Sequence, residues 1–278
     1  MERMNRRWKS LTREEVQELF DSSSPEKYGV GGLANGEYMP PYTEELTGKS
    51  FAFLFEDGAR YEYTFASQHE LRWCQDGEEH TEYYQGHLAE QDIYFVQHTI
   101  KGSVPPQAHT LVFDTRNGLV TLCRARLGNE SEAREMSHSF HFGIIEGYDE
   151  YPEERHHFTA DLVGKAISWT YHEQMPPIKH IYSSELYYTY AMISGDQCWM
   201  ASNPADFVKI NDHLYIFSFI EERQAGIQGL FLINMETLHD VGSFTGINGM
   251  NLFECYTVGA KGELDTMETC FTDTRSRK

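Results

Sequence analysis

Cysteine is scarce and scattered: Cys74, Cys123, Cys198, Cys255 and Cys270 are the full complement of a 278-residue chain. An odd count with no CxxC pair supplies neither a disulfide framework nor a zinc-ligand set, so a reducing, cytoplasmic setting is expected. Positive charge is also short. Lys and Arg number 23 against 43 Asp and Glu, a formal charge of −20, which repels phosphate backbones and anionic lipid heads and argues against nucleic-acid and membrane partners. No apolar run nears the length of about eighteen residues that a membrane helix needs, and the basic stretch Met1–Lys9 leads into Leu-Thr-Arg-Glu-Glu rather than an apolar segment. Neither export nor a membrane span is expected. GxGxxG, P-loop and GxSxG signatures are missing, and Gly31–Gly36 follows no predicted strand, so nucleotide cradling and serine hydrolysis have no support. His138 and His141, three apart on a predicted strand, would face opposite sides of it, and His156-His157 sits in an acidic stretch. No metal and no cofactor is therefore expected.

What the chain does have is one pattern stated twice. Leu46-Thr47-Gly48-Lys49 and Leu162-Val163-Gly164-Lys165 each open about a hundred residues of short, aromatic-rich apolar runs separated by turn residues. Later landmarks keep their order: Glu70-Leu71 with Glu185-Leu186, Tyr94 with Tyr215, and Asp114 near Leu119 with Asn234 near Leu238. The pattern predicts an all-β chain, about eight strands per copy, and fits either a closed antiparallel meander barrel or a Greek-key sandwich. Thr12-Arg13-Glu14-Glu15, followed by Val16, Leu19 and Phe20, predicts a short capped helix, and Ser22–Tyr42 reads as a loop that wraps the first domain. The expected organisation is helix and loop over 1–40, a first barrel over 41–150 and a second over 151–278, joined through the acidic stretch Glu146–His157.

Small barrels point every second side chain inward, and a purely structural interior would be aliphatic and Phe. In the second copy His180, Tyr182 and Ser184 share one face, as do Ser168 and Thr170, while Ser218 interrupts the apolar run Tyr215–Ile220. An inward orientation makes a small-molecule pocket; an outward one makes an ordinary solvated face, and alternation fits both. His180 is the candidate for proton transfer because imidazole titrates near neutrality. Glu221 is a candidate general acid if it is buried beside aromatics, and a charged hairpin tip with Glu222-Arg223 if it is not.

Lys179-His180-Ile181-Tyr182-Ser183-Ser184-Glu185 and Gly226-Ile227-Gln228-Gly229-Leu230 resemble the C-terminal half of the MoaF family. That resemblance implies two tandem calycin-like antiparallel β-barrels. Gly48-x-x-Phe51 with Asp57-Gly58-x-x-Tyr61-Glu62 is more distantly similar to the phenolic acid decarboxylases, single calycin barrels that release carbon dioxide without a cofactor. In those enzymes two first-strand tyrosines hold the carboxylate, an arginine orients it and a buried glutamate handles the phenol proton. The matching positions of the first barrel carry Phe53 and Phe55, with Arg72 and His98 near the other two roles; those of the second carry Trp169 and Tyr171, with Tyr187 and Glu221. The resemblance therefore favours the C-terminal barrel, and together with the alternation pattern it gives His180, Tyr182 and Glu221 as catalytic candidates and Tyr171, Tyr187, Ser218, Trp169, Arg72 and His98 as ligand-binding ones. It implies a cofactor-free lyase or isomerase acting on a small aromatic or carboxylate-bearing metabolite. A non-catalytic carrier or sensor of small molecules is the alternative, and self-association is left open.

Overall fold

The structure, a computed structural model, describes residues 10–24, 36–194, 197–222 and 226–267. Most of the predicted wrapping loop, Arg223 and Cys270 lie outside the described residues. Thr12 caps helix α1 (Arg13–Asp21): its hydroxyl accepts from the Glu15 N–H, and Glu15 reaches back to the Thr12 N–H. The helix buries Val16 and Phe20, and Val16 packs among Ala108, Leu127, Met136 and Ile247.

Eight strands follow in meander order: β1 (Ser50–Phe55), β2 (Arg60–Phe65), β3 (Glu70–Gln75), β4 (Glu78–Glu90), β5 (Ile93–Thr99), β6 (Gln107–Asp114), β7 (Leu119–Leu127) and β8 (Met136–Ile145). β8 returns to β1 through Phe53 opposite Ile145, so the sheet closes and no edge is left exposed. After β9 (His157–Phe158), which lies along part of the second barrel, the order repeats. Its strands are β10 (Ala166–Thr170), β11 (Ile178–Ile181), β12 (Tyr187–Ser194), β13 (Gln197–Lys209), β14 (Leu214–Ile220), β15 (Ile227–Asn234), β16 (His239–Ile247) and β17 (Phe253–Asp265). β10 pairs with both β11 and β17, and β12 with β13, which closes a second eight-stranded ring. The meander barrel is thus the correct alternative, in both copies.

The repeated Leu-x-Gly-Lys is a turn, and its chemistry explains why it recurs. Gly48 and Gly164 sit at φ +80° and +85°, in left-handed backbone that costs glycine least. Their N–H groups donate to Phe65 O (2.7 Å) and Tyr182 O (2.8 Å), pinning the turn to the next strand. Leu46 and Leu162 are buried members of the cores of the first and second barrels. The register then aligns the copies residue by residue. Tyr94 does correspond to Tyr215, and Asp114 to Asn234, each accepting two backbone N–H groups of its hairpin. Two landmarks shift: Glu70 corresponds to Tyr187, because Ser67 and Ser184 cap equivalent turns, and Leu119 corresponds to His239, with Leu238 in the left-handed position of Gly118.

Ser202-Asn203-Pro204 has turn composition, yet β13 runs through it, because Pro204 pairs only with the first residue of β12 and lies beyond the last pair of β14. The barrels pack on each other through their outer faces, with Ile93, Phe95 and Val112 against Leu214, Ile216 and Leu230. Polar ties cross the seam. His87 Nε2 lies 2.9 Å from Thr257 Oγ1, and buried Arg134 donates to Ile247 O and Asn248 O at 2.7 Å each. The acidic stretch is part of this seam, since His156 is buried and lies 2.8 Å from Thr121 Oγ1.

Candidate functional site

Period-2 alternation puts Tyr61 and Tyr63 of β2, Trp73 of β3, His98 of β5, His109 of β6 and Arg124 of β7 on the inner wall of the first barrel. They gather at the end away from Leu46. Tyr63 Oη lies 3.1 Å from His109 Nδ1 and 3.4 Å from His98 Nε2, and the two imidazoles are 5.3 Å apart. Arg124, the register partner of His109, donates to Tyr61 Oη and lies 5.3 Å from that ring's centre. Above them opens a mouth of about 500 Å³ lined by Tyr61, Trp73, His80, Gln107, His109 and Arg124. His80 stacks on Trp73 at 4.1 Å.

The electrostatics of this mouth are unusual for so acidic a chain. Arg124 forms no ion pair with a carboxylate, its Nη1 has no protein partner and is not sealed from the pocket, and its Nε is sealed without a partner. The Trp73 indole N–H is likewise buried and unpaired. Burial drives the His98 imidazole down to about 4 and the His109 imidazole well below its ordinary range, so both rings are neutral at physiological pH. Burial also raises the Tyr61 and Tyr63 phenols, which stay protonated. The pocket therefore sets the Arg124 guanidinium beside aromatic walls and neutral hydrogen-bonding groups, with Lys101, Asp76 and Glu78 also on its lining.

The residues predicted from sequence are dispersed. His98 lies in the first-barrel cluster. Arg72 does not: its side chain is 64% exposed and pairs with Glu70 outside the barrel, because β3 points Leu71 and Trp73 inward. In the second barrel Trp169, Tyr171, His180 and Tyr182 do share the lumen. Ser218 does not, since Phe217 and Phe219 take the inward positions of β14; Ser218 instead donates to Gly229 O and accepts from Gln228 at the inter-barrel seam. Tyr187 is half exposed at the start of β12. Glu221 sits near the rim, where Asn203 Nδ2 approaches it at 3.4 Å and Tyr188 Oη at 3.2 Å. Ser168 turns outward to Asp265, and the Ser184 hydroxyl caps a turn.

The second lumen is filled by edge-packed rings: His180 lies 5.4 Å from Phe217 and 5.2 Å from Tyr188. His180 Nδ1, Tyr182 Oη and Trp169 Nε1 are sealed there with no hydrogen bond of normal geometry, although the indole faces the phenol. Burial presses His180 down to about 3. The register shows what separates the copies. Tyr63, His98, His109 and Arg124 are replaced by His180, Phe219, Gly229 and Phe244, so only the first barrel keeps a cation and a connected polar network. Sequence reasoning missed Arg124, His109, Tyr63 and Trp73. The available signal was Arg124 inside the apolar run Leu119–Leu127, two residues after inward-facing Leu122. Among the described residues no three His, Cys, Asp or Glu side chains converge as a metal site.

Two closed eight-stranded antiparallel barrels in tandem define a calycin-like two-domain architecture. The MoaF N-terminal domain matches residues 27–129 and the MoaF C-terminal domain residues 156–266, so the chain belongs to the MoaF family. A search of curated proteins finds no match.

Proposed function

We propose that this protein binds a small aromatic carboxylate in the open mouth of its N-terminal barrel. The observation that carries this reading is Arg124: a half-buried guanidinium in no ion pair with a carboxylate, held against Tyr61 and lining the pocket. Guanidinium pairs well with carboxylate, and the low dielectric of the barrel end strengthens that pairing. Aromatic walls supply the apolar contact, and a mouth of about 500 Å³ is the size of ordinary small-ligand pockets. Titration calorimetry of benzoate with the wild-type protein and Arg124→Met tests it. A one-site isotherm that weakens at least tenfold in the variant supports the reading; equal binding, or none to either protein, removes it.

A second reading keeps a cofactor-free lyase or isomerase in the C-terminal barrel. It is favoured by the three sealed polar atoms of His180, Tyr182 and Trp169 in one lumen. Against it, a histidine held down at about 3 is a weak base at neutral pH. Loss of turnover in His180→Ala, with binding retained, would favour this second reading over the first.

A further inference from the structure

The polar cluster of the first barrel fixes which nitrogen of His109 carries a proton. His98 Nδ1 lies 3.1 Å from Thr99 O, and a carbonyl can only accept, so Nδ1 holds the proton of that neutral ring. His98 Nε2 is then bare and accepts the Tyr63 hydroxyl proton. With its one proton spent, the phenol oxygen accepts from His109 Nδ1–H at 3.1 Å. His109 Nε2 is left with a lone pair. It has no protein partner and is not sealed, and His109 lines the mouth. One backbone carbonyl thus sets, through three side chains, a hydrogen-bond acceptor on the pocket wall.

That acceptor stands directly across the β6–β7 ladder from Arg124. Facing side chains in such a pair are about 5 Å apart at Cβ, so a ligand anchored by its anion on Arg124 meets the His109 lone pair within the same ring. An oxygen without hydrogen would be repelled there; an O–H or N–H would be bound. We infer that the N-terminal barrel selects aryl carboxylates that carry a hydroxyl or amino donor on the ring, with His109 as the specificity-determining residue and Tyr63 and His98 as positioning residues. This rests on the aromatic-carboxylate reading above. The second barrel is an internal control, because Phe219 and Gly229 replace His98 and His109 there.

The test combines a ligand panel with a tautomer measurement. Titration with benzoate, the three hydroxybenzoates and the matching methoxybenzoates should show at least one hydroxy isomer binding tenfold or more tighter than its methoxy counterpart. In Tyr63→Phe that preference should collapse to less than threefold while benzoate affinity stays within about twofold. Nitrogen-15 NMR of the ligand-free protein should report His109 as the Nδ1–H tautomer, and Tyr63→Phe should disturb it. Binding of benzoate without hydroxy preference, or an Nε2–H tautomer, overturns this inference and leaves the first reading standing. Failure of every aryl carboxylate to bind overturns both.

Discussion

Five histidines are buried in this molecule, and acid should find them. His87 and His98 are pushed down to about 4, His156 and His180 to about 3, and His109 well below its ordinary value, all chiefly by burial. A folded value below the unfolded one gives stability that is present above the unfolded value and is lost as pH falls. At pH 6 an unfolded histidine holds about three-quarters of a proton, so the five together take up almost four on unfolding. Glu82 and Asp240 oppose this: burial raises both, so they are protonated in the fold and release about two protons on unfolding. The net uptake of about two protons corresponds to a loss of about 3 kcal/mol per pH unit near pH 6. Above pH 8 the histidines are silent and the carboxyl groups reverse the slope. Urea denaturation across pH 5.5–9 should therefore show a stability maximum near neutrality, falling on both sides. His87→Gln should flatten the acid limb by about 1 kcal/mol per pH unit, whatever it does to absolute stability. A curve flat from pH 7.5 to 5.5 would refute the burial argument.

Other expectations follow from single contacts. Glu82 is raised from 4.5 to about 7 while accepting the Lys101 N–H; its penalty grows as pH rises through that window, so Glu82→Gln should stabilise by up to about 3 kcal/mol at pH 8 and by nothing at pH 4. Arg134→Met strips Ile247 O and Asn248 O of a buried donor at the inter-barrel seam and should cost about 2–4 kcal/mol in urea denaturation. A Cβ at Gly259 would lie 2.6 Å from Met39 Cα, where residues 38–40 cross the second barrel, so Gly259→Ala should cost about 1–3 kcal/mol by thermal melting.

The fold was largely legible because barrel strands announce themselves by length, alternation and turn residues. The Leu-x-Gly-Lys repeat carried the duplication because its glycine meets a backbone demand that recurs in both copies. The site was far less legible. Gly48 fixes the start of β1, but counting onward from it could not say that Phe53 meets packing rings while Tyr61 and Tyr63, one strand later, meet Arg124 and His109. Contacts across the barrel interior at sequence separations of 46 (Tyr63–His109) and 63 (Tyr61–Arg124) depend on the register of every strand between, and register is invisible until the barrel closes. Ser218 failed for a related reason. The second barrel buries both faces of β14, one in its lumen and one against the first barrel, so alternation of polarity no longer marks inside from outside.

The central claim is that the ligand enters the N-terminal barrel and not the C-terminal one. Crystals grown with 4-bromobenzoate and measured at the bromine edge test it most directly. The account predicts one dominant anomalous peak in the mouth bounded by Trp73, His109 and Arg124, lost in Arg124→Met. A dominant peak in the lumen beside His180 and Tyr182, or one in the mouth that Arg124→Met leaves unchanged, would contradict it.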